Sequence, residues 1–256
     1  MSVQTSLAVL KETLSGFILY HFFKRKKIVI VLSAMRSGST LLKALLSQAP
    51  EIDHLNEVNF SRGENKYMVY NAFYKLSRKE VLLLKKPSGL RSFQDYPQLP
   101  NLPLSVIVLI RNPVDTILST IEMQKSRNRE ERDLNTIMTY WSVTYNNLLC
   151  YLDQEENSSV VIKYEELVDS PIETTEILFK FIGSKRTEGV KSYQKPLSGD
   201  WSWGLDDGGD KINSMSVVNV KKDYTEYMDE VSVILGNEAI LDTSNSYNLN
   251  LPPVST

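Results

Sequence analysis

Lys27 opens a run, Ile28-Val29-Ile30-Val31-Leu32, in which apolar and mostly β-branched residues follow one another without alternation. Such runs belong to strands covered on both faces, whereas a strand with one wet face alternates. The run gives way to small and polar residues over 33–40, then to Leu41-Leu42-Lys43-Ala44-Leu45-Leu46, which has helical periodicity and stops before Pro50. The unit is strand, tight loop, helix. Further strands are predicted at 81–84, 105–110 and 159–162, and helices near 64–78, 113–125, 134–152 and 171–182. Strands alternating with helices predict an α/β fold, a parallel sheet with right-handed crossovers and helices on its faces.

The ends of the chain read differently. Residues 7–23 are largely apolar but interrupted by Lys11 and Glu12, and the basic run Lys24-Arg25-Lys26-Lys27 follows. The stretch is too short and too charged for a membrane span, and its charges follow the apolar part, unlike a secretory signal. It predicts an amphipathic helix whose apolar side packs on the domain; peripheral contact with an anionic membrane is the alternative. Residues 1–26 are therefore read as a helix and basic linker, and 27–256 as a single domain. Residues 184–213 are rich in Gly, Ser and Asp around Trp201 and Trp203 and read as a long covering loop. From Thr243 the tail is polar and proline-bearing, and it is expected to be poorly tied down beyond Tyr247.

Composition narrows the chemistry. The chain of 256 residues, 42% hydrophobic, is long enough for one sizeable core. A formal charge of −2 gives no whole-protein attraction for DNA, RNA or other polyanions, so any anion site must be local. Cys150 is the only cysteine, which excludes an internal disulfide framework and fits a reducing, cytoplasmic setting; with only His21 and His54, a histidine metal site is not expected.

Local anion sites are legible at two places. Ser33-Ala34-Met35-Arg36-Ser37-Gly38-Ser39-Thr40 lies where a buried strand turns into a helix, so unsatisfied backbone N–H groups and the positive end of the helix dipole face outward. Gly38 permits a tight turn or close backbone approach, Arg36 offers charge-assisted hydrogen bonds, and Ser39 and Thr40 add hydroxyls. An ordinary helix start with a serine cap would read similarly. The segment is not a Walker A loop, because Ser39 stands where its lysine would be. At the second place, strand 105–110 runs into Arg111-Asn112-Pro113, with Asn112 as N-cap and Pro113 at the first helical position. Arg111 then sits at the strand's carboxyl end and Ser119 about two turns into the helix. Taken alone, Arg111 reads better as the partner of a surface carboxylate.

Taken together, these segments resemble the sulfotransferase family. Its 5′-phosphosulfate loop is similar to Arg36-Ser37-Gly38-Ser39-Thr40-Leu41-Leu42, and its 3′-phosphate motif to Arg111-Asn112-Pro113 with Ser119. The resemblance extends to Val161-Ile162-Lys163-Tyr164-Glu165-Glu166 and to the Gly199-Asp200-Trp201 loop. It implies a P-loop-kinase-like α/β sheet and the co-substrate 3′-phosphoadenosine 5′-phosphosulfate (PAPS), leaving 3′,5′-ADP, with no metal required. It further implies that Arg36, Ser37, Gly38, Ser39 and Thr40 hold the 5′-phosphosulfate, Arg111 and Ser119 the 3′-phosphate, and Tyr164 the nucleotide; either Lys195 and Trp201 close over it, or Trp201 and Trp203 anchor the loop to the core. The partner would be a hydroxyl-bearing acceptor such as a glycan, glycolipid, peptide or secondary metabolite.

Sulfuryl transfer needs a base at the acceptor hydroxyl and a cation where charge grows on the leaving phosphate. Glu57, in Asp53-His54-Leu55-Asn56-Glu57, is the expected base, by resemblance to the carbohydrate- and tyrosine-modifying branches, with His54 as competitor. The histidine that the cytosolic small-molecule branch carries after the next strand is missing from Leu84-Lys85-Lys86-Pro87-Ser88-Gly89. Lys85, with Arg36, is the expected stabiliser of the leaving group, and Lys86 the alternative. A P-loop phosphotransferase such as a nucleoside kinase and a non-catalytic nucleotide-binding protein are the competing readings.

Overall fold

The computed structural model of the chain describes residues 3–23, 26–57, 65–77, 79–86, 102, 104–126, 132–154, 158–194, 214–219 and 222–252. Side chains are described there except for residues 3–5, 55–57, 86 and 154. The elements run α1 (Val3–Phe22), β1 (Lys27–Leu32), α2 (Ser39–Leu46), β2 (Ile52–Glu57), α3 (Lys66–Leu76), β3 (Val81–Lys86) and β4 (Leu104–Ile110). They continue with α4 (Pro113–Ser126), α5 (Leu134–Gln154), β5 (Ser158–Lys163), α6 (Tyr164–Asp169), α7 (Pro171–Ile182), a 3-10 turn at Thr225–Tyr227, α8 (Met228–Leu235) and α9 (Glu238–Ser246).

All strand pairs are parallel, in the order β2-β3-β1-β4-β5. β1 and β4 are the central strands, and their unbroken apolar runs are buried almost throughout, as expected of strands covered on both faces. Alternate residues feed two cores. Ile28, Ile30, Leu32, Val106 and Val108 pack with residues of α3, α4, α5, α8 and α9 on one face. Val29, Val31, Ile107 and Leu109 pack with α2, α6 and α7 on the other. Strand order places the carboxyl ends of β1 and β4, and the loops that follow them, side by side.

Several parts differ from the sequence reading, the helices α6, α8 and α9 among them. β2 is absent from the strands predicted by pattern; its polar sequence, IDHLNE, lacks that pattern because it is an edge strand paired on one side, to β3. The tail beyond Tyr247 was expected to be loosely held, yet its described part, to residue 252, is tied down. Leu249 and Leu251 pack on the core, Lys163 Nζ donates to the Asn248 carbonyl at 2.7 Å, and Asn112 Nδ2 donates to the Asn250 carbonyl at 2.8 Å. Local composition could not show these bonds, because their donors lie more than 80 residues away.

Candidate active site

The loop after β1 turns into α2 at Gly38, which adopts φ +89° and so has the left-handed backbone that favours glycine. A Cβ there would stand 2.4 Å from Tyr164 Cδ2, so glycine is required by the close approach of that ring as well. No side chain caps α2, and its first intrahelical bond is Leu42 N–H to the Gly38 carbonyl at 3.1 Å. The N–H groups of Ser39, Thr40 and Leu41 therefore have no partner within the helix, and the serine-capped reading of this segment does not hold.

Around this cradle the structure gathers charge. Lys85, from the carboxyl end of β3, is buried and donates from Nζ to Thr40 Oγ1 at 2.8 Å. Arg36 is itself at φ +65°, and its Nε donates to Ser119 Oγ at 3.3 Å. Arg111 donates from Nη1 to the Arg36 carbonyl at 3.1 Å and lies over the Tyr164 ring, 4.4 Å from its centroid. Arg36, Gly38, Arg111, Ser119 and Tyr164, from α2, α4 and α6 or the loops before them, thus form one continuous group.

Arg111 has the carboxylate partner considered from sequence, Asp115 at 3.7 Å, and both side chains are mostly buried. That contact does not exhaust the guanidinium: its Nε is buried and has no hydrogen-bond partner among the described residues. Such a donor is costly to strand and is suited to an anion that arrives with the ligand. Two carboxylates fix the surroundings. Glu165 Oε1 accepts from Asn112 N–H at 2.9 Å, locking the β4–α4 loop to the start of α6, and burial pushes its carboxyl above the ordinary range. Asp115 accepts from the Tyr224 hydroxyl at 3.0 Å. Burial likewise raises the Tyr164 hydroxyl, which stays protonated.

The side chain of Ser37 turns toward α5. Its Oγ is buried and lies 2.8 Å from the Tyr145 hydroxyl, which donates to the Leu109 carbonyl at 3.0 Å and accepts from Ala34 N–H at 3.3 Å. Since Tyr145 spends its one hydrogen on Leu109, Ser37 is the donor between the two hydroxyls. Its side chain braces the loop from behind. Met35 N–H is held similarly, by the Tyr140 hydroxyl at 3.1 Å. Tyr140 and Tyr145, both on α5, were missed in the sequence. Their only signal there was the cluster of aromatic residues in that helix, of which a buried tyrosine needs a partner for its hydroxyl.

The backbone of Glu57 is paired with Lys85 across β2 and β3, after a register shift that begins at His54. The two residues assigned the chemistry thus lie on adjacent strand ends. The side chains of Glu57 and Lys86, and the whole of Lys195, Trp201 and Trp203, lie outside what is described. His54, the competing base, is engaged elsewhere: its Nδ1 meets Ser47 Oγ at 3.1 Å, and burial, with the nearby Lys43 charge, holds it down at about 4. In the segment expected to cover the site, Tyr193 is buried and Ser192 is bridged to Ser216; residues 195–213 lie outside the described residues.

A five-stranded parallel sheet with an uncapped helix start after its central strand, and a second basic group after the neighbouring strand, is the architecture of the P-loop-kinase-like α/β fold. The sulfotransferase domain matches residues 26–200, and the chain belongs to that family. Its fold is similar to the sulfotransferase domain of the curacin biosynthetic pathway, at 18% identity and a TM-score of 0.54, covering 90% of this chain and 100% of that one. It is also similar to a sulfotransferase from Alicyclobacillus acidocaldarius, at 15% identity and a TM-score of 0.56, covering 88% and 97%. The sulfotransferase domain of the Synechococcus PCC 7002 olefin synthase gives 16% identity and a TM-score of 0.60, covering 90% and 98%. Among curated proteins no relative is found by sequence.

Proposed function

We propose that the protein transfers the sulfuryl group of PAPS to the hydroxyl of an acceptor, a carbohydrate or a similar alcohol. The acceptor oxygen attacks sulfur in line with the bond to the 5′-phosphate oxygen. The new S–O bond forms as the old one breaks, 3′,5′-ADP leaves, and the hydroxyl proton passes to the Glu57 carboxylate. Lys85, held on Thr40, meets the charge that grows on the leaving phosphate, and the N–H groups of Ser39, Thr40 and Leu41 share it. No metal is needed, because the transferred group carries less negative charge than a phosphoryl group.

The observation that carries this reading is the pair of basic sites set side by side. One is the uncapped start of α2 with Lys85 upon it; the other is Arg36, Ser119 and Arg111, with the Arg111 Nε still without a partner among the described residues. A nucleotide with anions at both its 3′ and 5′ ends needs two such sites, whereas ATP needs one. The test is calorimetric titration with 3′,5′-ADP, AMP and Mg-ATP. Metal-free binding of 3′,5′-ADP, tighter than AMP and weakened in Arg111→Ala, is expected; preference for Mg-ATP would reject the reading in favour of a kinase. With an acceptor in hand, Glu57→Gln should bind 3′,5′-ADP normally and turn over at least about 100-fold more slowly.

A further inference from the structure

Helix α1 has two apolar sides, and the fold uses only one. It lies against α3 through Gly16, Leu19 and Tyr20: a Cβ on Gly16 would stand 1.8 Å from the Tyr67 carbonyl oxygen, and Tyr20 meets Tyr70 edge to face at 5.1 Å. The acid of the helix, Glu12, turns to this side as well, to Lys75 at 2.9 Å and to Asn71. The opposite side carries Leu7, Leu10, Leu14 and Ile18, with Phe17 at its edge against the Tyr67 ring, at spacings of three and four residues, so they form one row. Leu7, Leu10 and Leu14 are 61%, 65% and 57% exposed. Phe22 and Phe23 extend the row at 75% and 58% exposed. The expectation that the apolar side of this helix packs on the domain is thus met by Leu19 and Tyr20 and not by the leucine row. An exposed apolar area on the order of several hundred Å² in one strip is more than scattered surface residues account for.

Among the described residues, the charges placed beside the row, those of Lys11 and Lys66, have one sign. Lys11 is exposed within it, and Lys66 lies over the Tyr67 ring, which packs on Phe17 and His21. In sequence the row is followed at once by Lys24 and Arg25. Lys26 and Lys27 are used by the fold, on the Tyr74 ring and the Ile182 carbonyl. With Glu12 turned away, no acid of α1 faces outward, in a chain whose formal net charge is −2. No helix among the described residues is long and apolar enough to cross a membrane. We infer that the outer row of α1 lies in the interface of an anionic lipid surface, with Leu7, Leu10, Leu14, Phe17 and Ile18 in the acyl boundary and Lys11 and Lys66 at the headgroups. A protein held in this way would meet acceptors that are themselves at the membrane, such as the headgroups of glycolipids.

The test is co-sedimentation of the full chain with sucrose-loaded vesicles, of phosphatidylcholine alone or with phosphatidylglycerol added. It is repeated for Leu7→Ser/Leu10→Ser/Leu14→Ser, whose sites are exposed and should leave the thermal midpoint unchanged. Binding to the mixed vesicles, weaker on neutral ones and in high salt, and reduced by about tenfold or more in the triple variant, is expected. Failure to pellet with the anionic vesicles overturns the inference, as does equal binding by the variant. A concentration-dependent dimer in sedimentation velocity, abolished by the triple substitution and unaccompanied by vesicle binding, would make the row a contact between copies instead. None of these readouts depends on nucleotide binding, so the inference and the proposed reaction fail separately.

Discussion

Replacing Tyr145 by phenylalanine tests whether the phosphate loop is held in shape from behind. The ring stays in place against Trp141 and Tyr247, so no cavity forms, and only the hydroxyl is lost. Three contacts go with it, to Ser37 Oγ at 2.8 Å, Leu109 O at 3.0 Å and Ala34 N at 3.3 Å. The Ser37 hydroxyl is left buried without its partner, which costs about 1–3 kcal/mol, and the other two bonds add about 1 kcal/mol together. A loss of about 2–4 kcal/mol lowers the melting midpoint of a domain this size by about 4–16 °C. Since the loop must then be ordered by the ligand, 3′,5′-ADP should bind about fivefold to tenfold more weakly, the equivalent of one hydrogen bond. Burial holds the Tyr145 hydroxyl protonated well above its usual range, so the effect should not vary between pH 6 and 9. Scanning calorimetry and titration calorimetry read the two quantities. Tyr247→Phe is the control: it removes a buried bond of similar worth, to the Tyr145 carbonyl at 2.9 Å, without touching the loop. If Tyr145→Phe and Tyr247→Phe weaken nucleotide binding equally, or neither does, the bracing argument is wrong.

Gly38→Ala meets both the Tyr164 ring at 2.4 Å and an unfavourable φ of +89°, so it should lose about 1–2 kcal/mol from the backbone alone and bind 3′,5′-ADP poorly. A variant with an unchanged melting midpoint would show that the ring yields freely. Lys85→Met keeps the length of the side chain but removes its charge from Thr40, and kcat should fall about 100-fold to 1000-fold with a smaller change in 3′,5′-ADP affinity. Equal losses in both would reduce Lys85 to a binding residue. His54 titrates near 6.5 when unfolded and about 4 when folded, so the unfolded chain takes up more protons between these values. Its contribution to stability is complete above pH 6.5 and is lost as pH falls toward 4. Urea midpoints at pH 7.5 and 5 should differ less in His54→Gln than in the native protein.

The sequence by itself determined four of the five strands, their parallel sense and the two loops that carry charge. Unbroken β-branched runs such as Ile28 to Leu32 can only be strands buried on both faces, and Gly38 and Asn112-Pro113 mark where helices begin, all through interactions within a few residues. β2 escaped because an edge strand need not be apolar, and the tail because its anchors, Lys163 and Asn112, are distant in sequence. The residues of the site were legible as types but not in their employment. Ser37 has the right position in the loop for a ligand hydroxyl, yet tertiary packing turns it onto Tyr145, while Arg36 is turned onto Ser119 and joins the two basic groups. The amphipathic reading of α1 was likewise half of the matter. Periodicity shows that a helix has an apolar side, but which side meets the protein is settled by shape, and here Gly16 admits the Tyr67 backbone and leaves the leucine row facing out. Local pattern is a short-range property of the chain. Hydrogen-bond partners and buried faces are decided by segments that meet only when the whole chain has folded.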